Sequence, residues 1–289
     1  MNLALSGGGV RCLAMIGVFS ELNKRCIKIN KISSTSGGSI CGLLYCLGLT
    51  EFEMLAIAYK IDWADIVNFS IKDLFTTLGL SATDKLKEAL YSALMHVNYS
   101  KNITLIELYD KCNILFEVSG YCLNTHQSVF FNYLTHPEME VVQAVVLSSS
   151  VPILFQPTCI NNQLYVDGGV NDNYPIQRFP KDDPNTIGII LESEYECDAT
   201  ENIDIATIMC TIISGMHNKL NDIAILHNKN NTIIIKPTCI ESFDFGISDK
   251  DIIELYSNGV NEAQEYFNIK AQTFFLKKPI LPFFTFYLN

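Results

Sequence analysis

Asn2-Leu3-Ala4-Leu5-Ser6-Gly7-Gly8-Gly9-Val10-Arg11-Cys12-Leu13-Ala14-Met15-Ile16-Gly17-Val18-Phe19 is the stretch whose reading decides the fold class. Leu3 to Leu5 is a short apolar run that suits a buried strand. Three glycines then break it, and the run from Cys12 to Phe19 suits a helix. The same rhythm returns at once. A strand-like run from about Ile29 to Ser34 passes into Thr35-Ser36-Gly37-Gly38, and Ser39 to Leu49 is apolar on every side. A helix with no polar face belongs inside the protein.

Further along, Thr50-Glu51-Phe52-Glu53 has capping-box spacing and opens a helix through about Tyr59. Residues 61–112 read as interrupted helix, with segments at about Thr83–His96 and Thr104–Lys111. Ile114–Leu123 and Ser128–Tyr133 read as strands that pair as a hairpin across Asn124-Thr125-His126-Gln127. Helices are expected at Met139–Leu147, at about Ile203–Leu226 and at Ser248–Phe267. Strands are expected at Leu164–Val166, Thr186–Leu191 and Thr232–Lys236. Alternating elements, short connections and no Pro/Ser-rich linker predict one α/β sandwich with an internal sheet.

Composition excludes several classes of function. Lys plus Arg number 20 against 31 Asp plus Glu, a net charge of −11, so a general nucleic-acid binder is not expected. The same balance means that attraction to an anionic membrane cannot come from net charge. The ten cysteines contain no C-x-x-C and no zinc-like Cys/His spacing. Cys12, Cys41, Cys46 and Cys210 sit in apolar runs, as reduced core thiols do. With no basic segment and hydrophobic core at the start, the expected location is intracellular, with peripheral contact at a membrane. No stretch of about 18 uninterrupted apolar residues marks a transmembrane helix. The last residues, TFFLKKPILPFFTFYLN from Thr273, put aromatics around Lys277 and Lys278, with Pro279 and Pro282 opposing a regular helix. Residues 268–289 are therefore set apart from the domain at 1–267, as a segment packed across it or as an interfacial anchor.

The chemistry should lie in the turns. A serine hydroxyl is a poor nucleophile near neutral pH, so a serine hydrolase needs a base, a clear approach and donors for the oxyanion. Ser34-Thr35-Ser36-Gly37-Gly38 has the strand–turn–helix layout of a nucleophile elbow, with Ser34 where the general pattern has glycine. It also describes many phosphate-binding turns. Gly7-Gly8-Gly9 allows backbone amides to converge, either on an oxyanion or on a phosphate. The glycine spacing of a dinucleotide site and the Lys-Ser/Thr ending of a P-loop are both absent. Arg11 suits a loop tether, a head-group ligand or a solvated side chain. None of His96, His126, His136, His217 and His227 sits in a recognisable turn motif, and each reads as a surface or packing residue. Asp167 ends a strand before Gly168-Gly169 and suits either a plain turn or a base acting directly on serine.

Taken in order, these segments resemble the patatin-like phospholipases over about residues 2–265. The matching elements are Ser6 to Arg11, Ser34 to Gly38, Ala144 to Pro152 with Pro157, and Asp167-Gly168-Gly169 followed by Asn171, Asn173 and Pro175. The resemblance implies a three-layer α/β/α sandwich around a mixed, mostly parallel central sheet. It implies a Ser36–Asp167 dyad with no histidine, metal or cofactor, and an oxyanion hole on the amides of Gly7, Gly8 and Gly9. Arg11, Gly37, Gly38 and Gly168 would support these groups. The implied reaction is release of a fatty acyl group from a phospholipid or lysophospholipid through an acyl-enzyme, at a membrane surface. Ser34 and Cys12 depart from the family's glycines. A non-phospholipid esterase or acyltransferase and a silent lipid-binding module are the alternatives. Residues 61–112 are expected to cap the acyl pocket.

Overall fold

A computed structural model describes residues 1–66, 79–192 and 205–276 of the chain. The strands are β1 (Asn2–Leu5), β2 (Lys31–Ser34), β3 (Gly79–Ser81), β4 (Leu115–Cys122), β5 (Gln127–Phe131), β6 (Ile153–Phe155), β7 (Thr158–Ile160), β8 (Gln163–Asp167), β9 (Thr186–Leu191) and β10 (Thr232–Ile235). The helices are α1 (Ala14–Lys24), α2 (Gly37–Cys46), α3 (Glu51–Lys60), the single turn α4 (Trp63–Ile66), α5 (Asp84–His96), α6 (Leu105–Cys112), α7 (Val141–Ser148), α8 (Ile205–Asn228) and α9 (Asp249–Leu276). Capping boxes start α3 and α6. Thr50 and Thr104 each accept from the amide three residues on, and Glu53 and Glu107 bond back to the threonine amides.

Eight strands form the main sheet in the order β10-β9-β1-β2-β4-β8-β7, with β5 also paired to β4. Strands β10, β9, β1, β2 and β4 run parallel, and β5, β8 and β7 are antiparallel additions. Alternate side chains of the central strands enter two different cores, as a strand's period of two requires. Leu3, Leu5, Ile187, Ile189 and Leu191 join the large core with α1, α2 and α9. Ala4 and Ile190 point the other way, onto Tyr174, Ile176, Phe179 and Ala224 of α8. The sheet is thus covered on both faces, and the three-layer α/β/α arrangement holds.

The register positions the site. Leu5 pairs with Ser34 on one side and Ile189 on the other, so Ser6-Gly7 and Thr35-Ser36 leave the sheet together. Ser34 pairs with Val118, and Asp167 pairs with Gly120, two residues further along the same strand. Ser36 and Asp167 therefore emerge at one level of β4, at the carboxyl ends of the parallel strands, where open α/β sheets form their crevices.

Three expectations change. Residues 61–112, read as interrupted helix, also contain a strand, because β3 pairs in parallel with β6 as a separate two-stranded sheet. Strands β3, β6 and β7 have three residues each, too few for alternation to mark them. The last helix runs to Leu276, so the boundary drawn at 267/268 falls inside it. Nothing between Phe267 and Leu276 breaks a helix, and the first residue that would is Pro279. Residues 277–289 lie outside the described part. No described helix is long and apolar enough to cross a membrane.

Candidate active site

Ser36 occupies the tight turn between β2 and α2, with φ 52° and ψ −128°, a conformation that costs a non-glycine residue of order 1–3 kcal/mol. The turn is fixed from several sides. The Ser36 amide donates to Ser148 Oγ at 3.0 Å, and Ser148 Oγ also meets Ser39 Oγ at 3.0 Å. Thr35 Oγ1 lies 2.7 Å from Ser119 Oγ and donates to the Asp172 carbonyl at 3.0 Å. Ser34, in place of a glycine, is fully buried and donates to the Glu117 carbonyl at 3.0 Å. Its hydroxyl is satisfied within the sheet, so the departure leaves the elbow intact.

Asp167 ends β8 and is buried. Its Oδ1 accepts from the Gly169 amide at 2.7 Å, while Oδ2 has no well-formed hydrogen bond among the described residues. The Ser36 hydroxyl is nevertheless close enough to hydrogen-bond weakly with the carboxyl and lower its pKa. Such long contacts are common in unliganded sites and shorten on the reaction path. Burial outweighs both bonds and pushes the Asp167 pKa up to about 7. This is the range in which a carboxylate can remove a proton near neutral pH.

The glycine loop faces this pair. Gly7 is tied down, its amide donating to the Asn173 carbonyl at 2.9 Å. Among the described residues, the amides of Gly8 and Gly9 donate to no backbone carbonyl. Gly9 has φ +54°, and a Cβ there would overlap the Ser242 carbonyl, so only glycine fits. Arg11 is buried behind the loop, donating from Nη1 to the Glu192 carbonyl at 3.3 Å. Burial lowers its pKa, and Glu241 opposes that shift. It therefore braces the loop as well as lining the cleft. Gly38 and Gly168 are packing positions, against the Ser6 carbonyl and the Ser119 hydroxyl.

Two cavities meet at Ser36. One is apolar, running from Gly37, Cys12 and Ile40 past Met54, Trp63, Leu86 and Leu90, with Phe155 and Phe245 across it. Cys12 packs beside Gly37, so this departure from the family's glycines narrows the cavity next to the nucleophile. The other cavity is polar and brings together Gly7, Gly8, Gly9, Arg11, Ser36 and Asp167, all six assigned from the sequence. Its far wall comes from α8 as Ser214, His217, Asn218 and Asn221.

His217 is the cleft residue read from the sequence only as a surface or packing histidine. It lines the cleft beside Gly169 rather than the surface, and burial pushes its pKa down to about 4, against a weak bond to the Gly169 backbone. At neutral pH it is therefore an uncharged imidazole, and its Nε2 has no well-formed partner among the described residues. The signal was present in the sequence. Positions 214, 217, 218 and 221 follow the i, i+3, i+4, i+7 spacing of one helical face, and all four are polar. Of the other histidines, His96 meets Glu53, His126 lies in an exposed turn and His136 meets Thr135. The side chain of His227 is outside the described part.

Comparison with known proteins accords with this geometry. Residues 3–179 match the model of the family described as patatin-like phospholipase. An uncharacterized protein of Acanthamoeba polyphaga mimivirus is 32% identical over 203 residues, covering 68% of this chain and 67% of the relative. The "Probable lipid hydrolase" of Invertebrate iridescent virus 6 is 31% identical over 183 residues, 61% of each chain. Among solved structures, VipD from Legionella pneumophila superposes with a TM-score of 0.59 at 16% identity, over 93% of this chain and 66% of that one. ExoU in its complex with SpcU from Pseudomonas aeruginosa gives 0.53 at 17% identity, over 94% of this chain and 52% of that one. These two speak to the fold alone, and the chain spans only about half to two thirds of the length of these proteins. With the matched span enclosing the glycine loop, the serine elbow and the strand that ends at Asp167, the chain belongs to the patatin-like phospholipase family.

Proposed function

We propose that the chain is a serine lipid acyl hydrolase of phospholipase A type, in which Ser36 and Asp167 act as a dyad. The observation that carries this reading is the place of Ser36, in a strained turn where an apolar and a polar cavity meet, facing a buried carboxyl. A fatty acyl chain fits the apolar cavity, and the glycerol and head group of a phospholipid or lysophospholipid fit the polar one.

In the first half-reaction Ser36 Oγ attacks the ester carbonyl as its proton passes to Asp167. The oxyanion lies at the start of α2, toward the Gly8 and Gly9 amides, where the helix dipole also favours negative charge. We assign these two amides to the oxyanion hole and leave Gly7 the task of holding the loop. Collapse of the intermediate returns the proton from Asp167 to the departing alcohol and leaves the acyl-enzyme. Water then attacks, losing its proton to Asp167, and collapse of the second intermediate returns that proton to Ser36 Oγ as the free fatty acid leaves. Residues lining the apolar cavity from α4 and α5 act as its cap. The enzyme works in peripheral contact with a membrane.

The test is mass spectrometry of products released from mixed membrane lipid, with Ser36→Ala beside the unsubstituted chain. Fatty acid release should fall by three orders of magnitude or more, on the scale typical of a lost nucleophile. Labelling of Ser36 by a fluorophosphonate separates a hydrolase from a silent lipid binder. Undiminished release by Ser36→Ala would refute the dyad.

A further inference from the structure

Helix α8 presents two different faces. Taking about 100° of rotation per residue, its cleft-lining residues from Ile213 through His217 to Asn218 occupy one arc of about 140°. The neighbouring arc, about 120° wide, carries Ile208, Ile212, Met216, Leu220, Ile223 and Leu226. These six are exposed, with Ile212 at 50%, Met216 at 49% and Ile223 at 51%. An isolated exposed leucine or isoleucine needs no explanation, but a continuous row along a 24-residue helix does.

We propose that this row is the surface by which the protein seats itself on a lipid bilayer, with α8 lying in the plane of the interface. The proposal rests on the lipid hydrolase reading and names the face that reading lacks. Three observations select a bilayer as the occupant. First, the row is continuous with the substrate cleft. Ile213, at the boundary between the two faces, packs with Val151, Leu154 and Phe155, and Val151 and Phe155 also line the apolar cavity. A lipid leaving a bilayer beneath α8 would reach Ser36 without exposing its acyl chain to water. Second, the apolar arc contains Lys219 and no carboxylate, although the chain as a whole has 31 acidic residues against 20 basic ones. Third, a net charge of −11 makes electrostatic attachment to an anionic surface unfavourable, so hydrophobic insertion must supply the affinity. A helix with one apolar face and little charge around it suits a neutral, zwitterionic surface.

The experiment is sedimentation with phosphatidylcholine vesicles in the Ser36→Ala background, which leaves the lipid intact. The parent should bind, and its binding should change little between about 0.05 and 0.5 M salt. Adding Ile212→Gln, Met216→Gln and Ile223→Gln together should weaken partitioning about thirtyfold, equivalent to ~2 kcal/mol at ~1.4 kcal/mol per tenfold. With Ser36 present, the same three substitutions should keep turnover of a soluble short-chain p-nitrophenyl ester within about twofold. This follows because exposed changes away from the cleft leave fold and dyad alone. Unchanged vesicle binding by the triple variant would overturn the proposal. So would a parent that does not bind, or that binds only anionic vesicles and is released by salt. Absence of Ser36-dependent ester turnover would strike the catalytic reading and leave the binding comparison standing.

Discussion

Asp167→Asn should destroy activity and stabilise the protein, and the stabilisation should depend on pH in a way fixed by the site. In the folded chain the Asp167 pKa is raised from 3.8 to about 7, chiefly by burial. Between those values the folded state holds a proton that the unfolded state has lost. Stability contributed by the protonated carboxyl is complete below about pH 4, declines as pH rises and is gone above about pH 7. At 1.36 kcal/mol per unit the interval amounts to about 4 kcal/mol. Asparagine has no such proton to lose, and its amide oxygen can still accept from Gly169. Urea unfolding of both chains at pH 4 and pH 8 is the assay. The variant's advantage should grow by about 4 kcal/mol from the lower to the higher pH. Its kcat/KM on a phospholipid should fall by at least about a hundredfold, the lower end of what a general base supplies. In the unsubstituted chain, kcat/KM should rise with pH through about 7 as the base ionises. An advantage that stays constant between the two pH values would mean that Asp167 titrates as an ordinary carboxyl, and the argument for it as a tuned base would fail.

Three further changes probe the scaffold. Gly9→Ala places a side chain against the Ser242 carbonyl at positive φ, and should cost about 3 kcal/mol in thermal unfolding and abolish turnover with the oxyanion loop displaced. Ala89→Phe projects into the apolar cavity and should lower kcat/KM for long-chain relative to short-chain esters by about tenfold, since each buried CH₂ is worth ≈ 0.8 kcal/mol; an unchanged chain-length profile would remove this cavity as the acyl site. Glu117→Ala leaves Arg178, Lys31, Ser33 and Asn132 without their shared carboxylate and should cost about 3–5 kcal/mol in denaturant unfolding at pH 7. Despite its burial the Glu117 pKa is lowered by these partners, so the contribution is present above the unfolded pKa and is lost as pH falls through the folded one; the gap between the two chains should therefore close in acid.

What could be read from the sequence follows from how locally each feature is determined. The two opening strand–turn–helix units stood out because glycine punctuates them and the runs between are uniformly apolar. Both capping boxes were visible in four residues each, as Thr50 to Glu53 and Thr104 to Glu107. Ser36, Asp167 and the glycine loop were legible because each is tied to a turn. What escaped depends on distant partners. Ser148 looked like one of three equal serines, and only the crossing of α7 behind α2 makes it the acceptor for the Ser36 amide. Gly7 looked equivalent to Gly8 and Gly9 until Asn173, far along the chain, took its amide. His217 lies within a long helix and in no turn motif, so nothing local marks it, whereas its neighbours in space are Gly169 and Asp167. Strands of three residues carry no period, and no reading of periodicity would have found them.

The site concentrates costs that the rest of the fold must offset. Ser36 is held at positive φ, Asp167 is buried beyond its ordinary ionisation range, and Asp167 Oδ2, Asn173 Oδ1 and His217 Nε2 are buried without well-formed partners. Each departs from what a packed interior favours, and all four residues line the cleft beside the glycine loop. The compensating bonds lie one layer back, in Ser148 beneath the elbow, Thr35 on Ser119, and the Glu117 cluster that joins β2, β4 and Arg178. There is also a division along the chain. The proposed dyad, the glycine loop and the hydroxyls that brace the elbow fall within residues 3–179, the span matched by the family model. The polar wall of the cleft, with the apolar row on the neighbouring arc of the same helix, comes from residues 205–228, outside that span. On the proposed mechanism, bond making belongs to the shared part of the fold, whereas the choice of leaving group and of surface belongs to α8. Substitutions on that helix should accordingly alter which lipid is presented to Ser36 before they alter the steps that cleave it.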